Sequence, residues 1–377
     1  MKNFKKLLFL LSKPDRKRAG LLLVLVLIMA LLDMIGVVSI MPFMTVLTNP
    51  EIVETNIILN KAFKISSMFG VETNQQFLFF LGVFVMVMLV ISLAFKALTI
   101  YLQLKFTSMC QYRISKRFVK AYLHQNYSWF LNRHSADLGK TILSEVGTVV
   151  GKGLKPMLNI ITHSVLSLML ILMLSIVNIK LAFSIGLIFG TAYFLIYKMV
   201  KKFLLKIGNE RLKSNKLRFT TVLEAFGAFK DIKMRKLENI FKKKFSIQAK
   251  IFAKHQASGQ IISLIPRFIL EAISFGGMLF FVLFMMSKSE NFYDILPLIA
   301  LYAFAGYRLL PSLQLIYSNA TQLRFVVPSL DKMYEELKSL DPSENVSSKE
   351  LLLLTKSIRL ENVSFNYPKS NKQALKN

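Results

Sequence analysis

The sequence has 377 residues, 54% of them hydrophobic, and carries 49 Lys and Arg against 21 Asp and Glu, a formal net charge of +28. Apolar runs this long and unbroken exclude a soluble globular domain, and basic clusters set between them point to the cytoplasmic face of a bilayer rather than to nucleic acid. The single cysteine, Cys110, excludes an intrachain disulfide framework and reads as a packing residue.

The first stretch, "MKNFKKLLFLLSKPDRKRAG", joins a charged leader to a short apolar run, yet basic residues follow at once and no small-residue cleavage site does. Residues 1–19 are therefore expected to form an uncleaved elbow lying on the membrane surface. Six segments then reach the roughly 20 residues that a span requires: Gly20 to Leu47, Phe77 to Leu104, Leu154 to Val177, Leu181 to Tyr197, Ile261 to Met286 and Ile295 to Tyr317. Only "NIK" separates the third from the fourth, and "SKSENFYD" the fifth from the sixth, so both pairs are tight hairpins on one face.

The long connections lie on the other face and hold the positive charge, from Lys105 to Lys152 and, more densely, from Lys198 to Lys254 ("NERLKSNKLR", "IFKKKF"). The positive-inside bias puts the N-terminus, both long loops and the C-terminus in the cytoplasm. Gly and Pro are scarce in these loops and apolar residues recur at three- and four-residue spacing, so the spans are expected to continue as helices, a 20-residue extension reaching ~30 Å beyond the membrane. The alternative is a pair of solvated basic loops without a partner. On the outer face, "NPEIVETNIILNKAFKISSMFG" (Asn49 to Gly70) has its apolar residues in near-helical register. The aromatic cluster "NYSWF" with Trp129 reads as packing or coupling-loop residues, and His124, His134, His163 and His255 show no metal-ligand spacing. No metal site is expected.

Five ionisable residues fall inside the spans, where they are costly in hydrocarbon and usually face a cavity or a partner: Asp33, Lys96, Arg267, Glu271 and Arg308. Arg267 and Glu271 are four apart on one helical face and can also satisfy one another as a structural ion pair. Lys96 can also snorkel towards an interface. Towards the C-terminus, "PSLDKMYEELKSLDPSENVSSKELLLLTK" is a charged helix followed by a Pro/Ser/Asn-rich linker, a domain boundary. Beyond it "SIRLENVSFNYPKSNKQALKN" alternates apolar and polar residues like a strand, beginning at Ile358.

No phosphate-binding loop is present. A P-loop needs Gly, four residues, then Gly-Lys-Ser/Thr, so that backbone N–H groups wrap the phosphates. "HSADLGKT" has His134 where the first Gly belongs, and "GTVVGKG" has only three residues between Gly147 and Gly151, with Gly153 where a hydroxyl is needed. The chain by itself is not expected to hydrolyse ATP, and whether the end at Asn377 is natural or a truncation stays open.

Six spans, a linker and then "LENVSFNYP" resemble an ABC transporter of the exporter type, whose ATP-binding domain opens with such a strand. The resemblance implies an all-α membrane fold: a six-helix transmembrane domain over residues 20–327 with long cytoplasmic helical extensions. A linker follows over 328–355, and residues 356–377 would be the truncated start of an α/β ATPase domain. It implies that Tyr367 stacks on the adenine of ATP, with ATP and Mg2+ bound only by the full-length protein. "LEAFGAFKDIKMRKLENIFKKKF" and "HSADLGKTILSEVGTVVGKG" are similar to the family's coupling segments, which assigns coupling to Ser144, Glu145, Glu224, Gly227, Lys230 and Asp231.

Within this family "LLDMIGVVSIMPF", "AFKALTIYL", "IPRFILEAISF", "YRLLPS" and "SLDKMY" are most similar to the PglK-type lipid-linked oligosaccharide flippase of bacterial inner membranes. That similarity implies a homodimer whose cavity cations, Lys96, Arg267 and Arg308, attract the diphosphate of a polyprenyl-linked glycan. Lys96 stands where the family has Arg, and Leu315 replaces a further cavity Arg. The outer segment Asn49 to Gly70 would engage the polyprenyl tail or merely cap the bundle. Alternative readings are an exporter of peptide, lipid or drug, and a catalytically incomplete half-transporter acting with a partner ATPase.

Overall fold

The computed structural model describes residues 2–68, 70–131, 133–177, 179–288 and 296–340, with 356–357, 359, 362–366 and 373–375 beyond them. Helix α1 (Lys2–Leu10) is followed by α2 (Lys13–Val38), which Ser12 caps by accepting from the Asp15 backbone N–H. The helix stops at Val38 because the ring of Pro42 would collide with the carbonyl four residues back. Ser39 closes the break, its Oγ donating to the Gly36 carbonyl at 2.9 Å, and α3 (Ile40–Thr48) carries the first expected span to its end.

Two short helices, α4 (Ile52–Thr55) and α5 (Ile57–Ser67), fill the expected outer segment. They bury Val53 and Leu59 in a small apolar cluster with Val46, Val71, Phe77 and Leu81, while Ile57, Ile65 and Met68 stay exposed. A reciprocal cap between Thr73 and Gln76 then starts α6 (Asn74–Leu123), whose 50 residues reach about 75 Å. Near the far end of α6 lie α7 (Tyr127–Leu131) and α8 (Ser135–Lys140). The return passes through two wide π-helical turns, Thr141–Glu145 and Val150–Leu154, with α9 (Val146–Val149) between them, into α10 (Lys155–Val177). The expected long helical hairpins are confirmed in α11 (Ile179–Gly227), α12 (Phe229–Met234) and α13 (Glu238–Lys288), and α14 (Leu296–Ser339) completes the helices. Among the described residues, α2 with α3, α6 and the run from α8 through α10 are long and apolar enough to cross a membrane.

Packing divides along the length. At the apolar level α2 lies on α6 and α10, and α10 on α14, around Met29, Ala30, Val37, Leu166, Leu170 and Leu309. With no hydrophobic drive between helices in lipid, polar contacts fix the register. Gln103 donates to Asn159 (2.9 Å) and Asn159 to Asn319 (3.3 Å), tying α6, α10 and α14. Pro266 inside α13 frees the Ile262 carbonyl, and the Tyr317 hydroxyl of α14 donates to it at 3.3 Å.

At the basic end a second core gathers α1, α6, α9 and α14 around Leu7, Leu10, Cys110, Phe118, Val146, Val326 and Leu330. Cys110 is fully buried there, as its packing role requires. Helix α11 approaches α14 so closely that a Cβ on Gly208 would fall on the Phe325 carbonyl oxygen. Only a residue without a side chain admits that contact.

The C-terminal residues pair two short strands, β1 (Phe365–Asn366) and β2 (Gln373–Leu375), antiparallel. Of the expected longer strand, Ile358 and Leu360 lie outside the described residues, and Val363 is not in a strand.

Candidate functional site

The π-helical turn Thr141–Glu145 aims the Glu145 carboxylate inward, and Arg211 of α11 meets it fork to fork: Nη1 to Oε2 at 3.1 Å and Nη2 to Oε1 at 3.2 Å. Both side chains are only 2% exposed. Such a pair persists in a dry interior only if further hydrogen bonds satisfy both charges. Asn215, one turn along α11, donates to Glu145 Oε1 at 2.6 Å and to Ser144 Oγ at 3.1 Å. Arg211 also donates to Ser329 Oγ of α14 (3.0 Å) and to Thr148 Oγ1 of α9 (3.2 Å). From α13, the Phe252 ring lies under the guanidiniums of Arg211 (5.5 Å) and Arg218 (4.1 Å). Burial, and then the charge of Arg211, lowers the Arg218 pKa from its ordinary value. Charge-assisted bonds thus join segments that are distant in sequence at one point.

The sequence singled out Ser144 and Glu145 but missed Arg211 and Asn215. Their four-residue spacing in "NERLKSNKLR" was the available signal, submerged in a run of positive charge.

The two hairpin tips differ in how they are held. At the α11–α13 tip, α12 buries Ile232 and leaves Phe229 and Met234 more than half exposed, as is Phe226 at the end of α11. Gly227, Lys230 and Asp231 are exposed beside them, and Glu224 reaches across to Lys244 at 2.8 Å. Lys236 closes α12 in the left-handed conformation (φ 55°), with Leu237 N–H bonded to the Ile232 carbonyl. At the other tip, α7 exposes Tyr127 and Leu131, while Trp129 packs against Tyr122 and under Arg133. Tyr122 and Arg133 both donate to Glu336 of α14, at 2.9 and 3.2 Å. Trp129 is thus a packing residue on the hairpin tip.

Both segments that fall short of a P-loop are helical, with no loop to wrap a phosphate. Lys140 is fully buried on Asp137 (3.3 Å), and the Lys152 ammonium lies 4.9 Å from the centre of the Phe325 ring. These residues do not fit the phosphates of ATP or its Mg2+. Tyr367, the expected adenine-stacking residue, lies outside the described residues.

The five ionisable residues expected in spans fall on four helices, α2, α6, α13 and α14. Asp33 is 1% exposed and accepts from Ser92 Oγ at 2.9 Å, joining α2 to α6. Arg267 pairs with Glu271 on α13 at 3.2 Å, with side chains 55% and 29% exposed. Lys96 is half-buried on α6 and makes no ion pair among the described residues. Arg308 lies on α14, and its side chain is outside the described set.

Long apolar helices whose basic extensions end in short helices form the framework of a transmembrane domain. Residues 20–307 match the model of the ABC transporter transmembrane region, and the chain belongs to that family. Its fold is similar to that of a bacterial Atm1-family ABC exporter solved with ATP bound, with a TM-score of 0.66 and 12% identity over 97% of this chain. The chain spans 61% of the length of that exporter.

Proposed function

We propose that this chain is the permease part of an ATP-driven exporter that flips a polyprenyl-diphosphate-linked oligosaccharide across the bacterial inner membrane, working as a homodimer. The observation that carries the reading is the exposure of Arg267 and Glu271 within an apolar span. In hydrocarbon a half-exposed ion pair is costly, so this face of α13 opens on a water-filled path or on a second protomer. Lys96 and Arg308 would add cationic groups to that path. A diphosphate suits them, since Arg grips its oxygens two at a time and Lys acts as a point charge.

The charge bias places the basic end in the cytoplasm. There the exposed apolar residues of α7 and α12 would enter clefts on ATPase domains, supplied in cis or by a partner. Those domains bring ATP and Mg2+, with Tyr367 on the adenine. The expected linker 328–355 begins inside α14, where Leu330 and Glu336 are buried in the bundle, so residues 341–355 would link the two parts. The Arg211–Glu145 network, joining both hairpins to α14, would carry the closing motion into the spans as one body.

The test is translocation in vesicles by a version carrying its ATPase domain. Replacing Lys96, Arg267 and Arg308 together by Ala is expected to abolish glycolipid flipping while ATP hydrolysis persists. Unchanged flipping would overturn the cavity mechanism, and competition by peptides or drugs instead of glycolipid would reassign the cargo.

A further inference from the structure

The corner where α1 meets α2 and α6 carries positive charge that the protein leaves unneutralised. Helix α1 ends at Leu10, so its last carbonyls have no partner within the helix. Two arginines from different helices take adjacent ones: Arg16 Nε of α2 donates to the Leu8 carbonyl at 3.0 Å, and Arg117 Nη1 of α6 donates to the Phe9 carbonyl at 3.3 Å. The Arg117 guanidinium also lies 5.6 Å from the centre of the Phe9 ring. Each arginine thereby spends one donor on backbone and keeps the rest of its fork exposed. The two are close enough for the charge of Arg16 to act on Arg117.

Like charges held together normally recruit a carboxylate, but those nearby are engaged. Asp15 is buried under Arg113 and Ser12, and Asp331 pairs with Lys6. No carboxylate lies within ion-pair distance of Arg16 or Arg117 among the described residues. On α2 the corner adjoins the apolar run that begins at Ala19, and Phe4 of α1 and Tyr112 of α6 are exposed, as aromatics at headgroup level are.

We propose that Arg16 and Arg117, steered by the terminal carbonyls of α1, form a binding site for the phosphate of an anionic phospholipid in the leaflet against which α1 lies. Two guanidinium forks from two helices match the oxygens of one phosphodiester, and the acyl chains would run along the exposed apolar side of α2. Bound lipid would pin α1 to the bundle. The site is independent of the cargo proposed above.

The chain is purified in detergent and offered mixed phosphatidylglycerol and phosphatidylcholine, and retained lipid is read by native mass spectrometry. A preference for phosphatidylglycerol is expected, and Arg16→Gln with Arg117→Gln should lower it about 30-fold, or about fivefold per arginine. Lys17→Gln with Lys120→Gln removes the same charge from the same helices but no guanidinium fork, and should lower it less than the arginine variant does. Equal losses in both double variants, or retention in the arginine variant, would overturn the site. Displacement of the lipid by excess inorganic phosphate would do so as well, by showing a general anion site. If the glutamine variant does not fold, Arg16→Lys with Arg117→Lys keeps the charge without the forks: loss of the preference supports the pair, and its retention refutes it.

Discussion

Two of the Arg–Glu pairs among the described residues are built to opposite ends. Arg211 and Glu145 come from segments 66 residues apart, are 2% exposed, and are ringed by Asn215, Ser329, Thr148 and Phe252. Arg267 and Glu271 are four apart on one helix, more open, and joined through a single carboxylate oxygen, Oε1. The first pair fixes how helices meet, because neither charge tolerates losing the other. The second holds two charges on an open face at little conformational expense, where a passing ligand or a second protomer can compete for them. Chemical identity therefore says little about what an ion pair does, and burial and the number of supporting donors decide it.

The largest effect should come from breaking the buried pair on one side. Glu145→Ala leaves Arg211 charged and unpartnered in a dry site, a loss of about 3–5 kcal/mol. Thermal melting of the purified chain should show it as a large downward shift. The pair can also be removed whole: Glu145→Leu with Arg211→Met is expected to recover most of the loss, since two apolar side chains of similar volume need no charge compensation. If the double variant melts as low as the single, the network's neighbours rather than its charge balance dominate.

A smaller loss is expected at the close helix crossing near that network. Gly208→Ala drives a methyl group into the Phe325 carbonyl, so α11 and α14 must separate. Overpacking of this kind costs about 1–3 kcal/mol. The same shift would move Arg211 relative to Ser329, so combining Gly208→Ala with Glu145→Ala should cost less than the sum of the two. Strict additivity in melting experiments would show that the crossing and the network are independent.

How much of this was legible in the sequence follows from the range of each interaction. The hairpins and the outer helices were readable because run length, apolar period and Gly/Pro scarcity are local properties. Ser144 and Glu145 emerged from a resemblance, and Arg267–Glu271 from its four-residue spacing. The partners of Glu145 did not emerge, because Arg211 and Asn215 sit in a run where every neighbour is also basic or polar and only the fold selects which two turn inward. Asp33 was legible only as a lone charge in an apolar run, since burial in a helix contact and exposure in a polar cavity leave the same mark in a sequence. In the structure it is buried and accepts from Ser92, 59 residues away, a contact that no local pattern announces.

The smallest change in stability should come from the exposed pair, and it is the sharpest test of the contrast. Arg267→Ala removes a same-helix ion pair whose arginine is more than half exposed. Pairs of this kind contribute only about 0.3–0.5 kcal/mol, less still at high salt, so melting should be almost unmoved. If α13 opens on the translocation path, the same variant should nevertheless lose a measurable part of its transport. Loss of function without loss of stability is the signature of a charge kept for a ligand. A stability loss as large as that of Glu145→Ala would instead show that Arg267 is sealed in the working assembly by a second protomer, and would move its role from cargo to assembly.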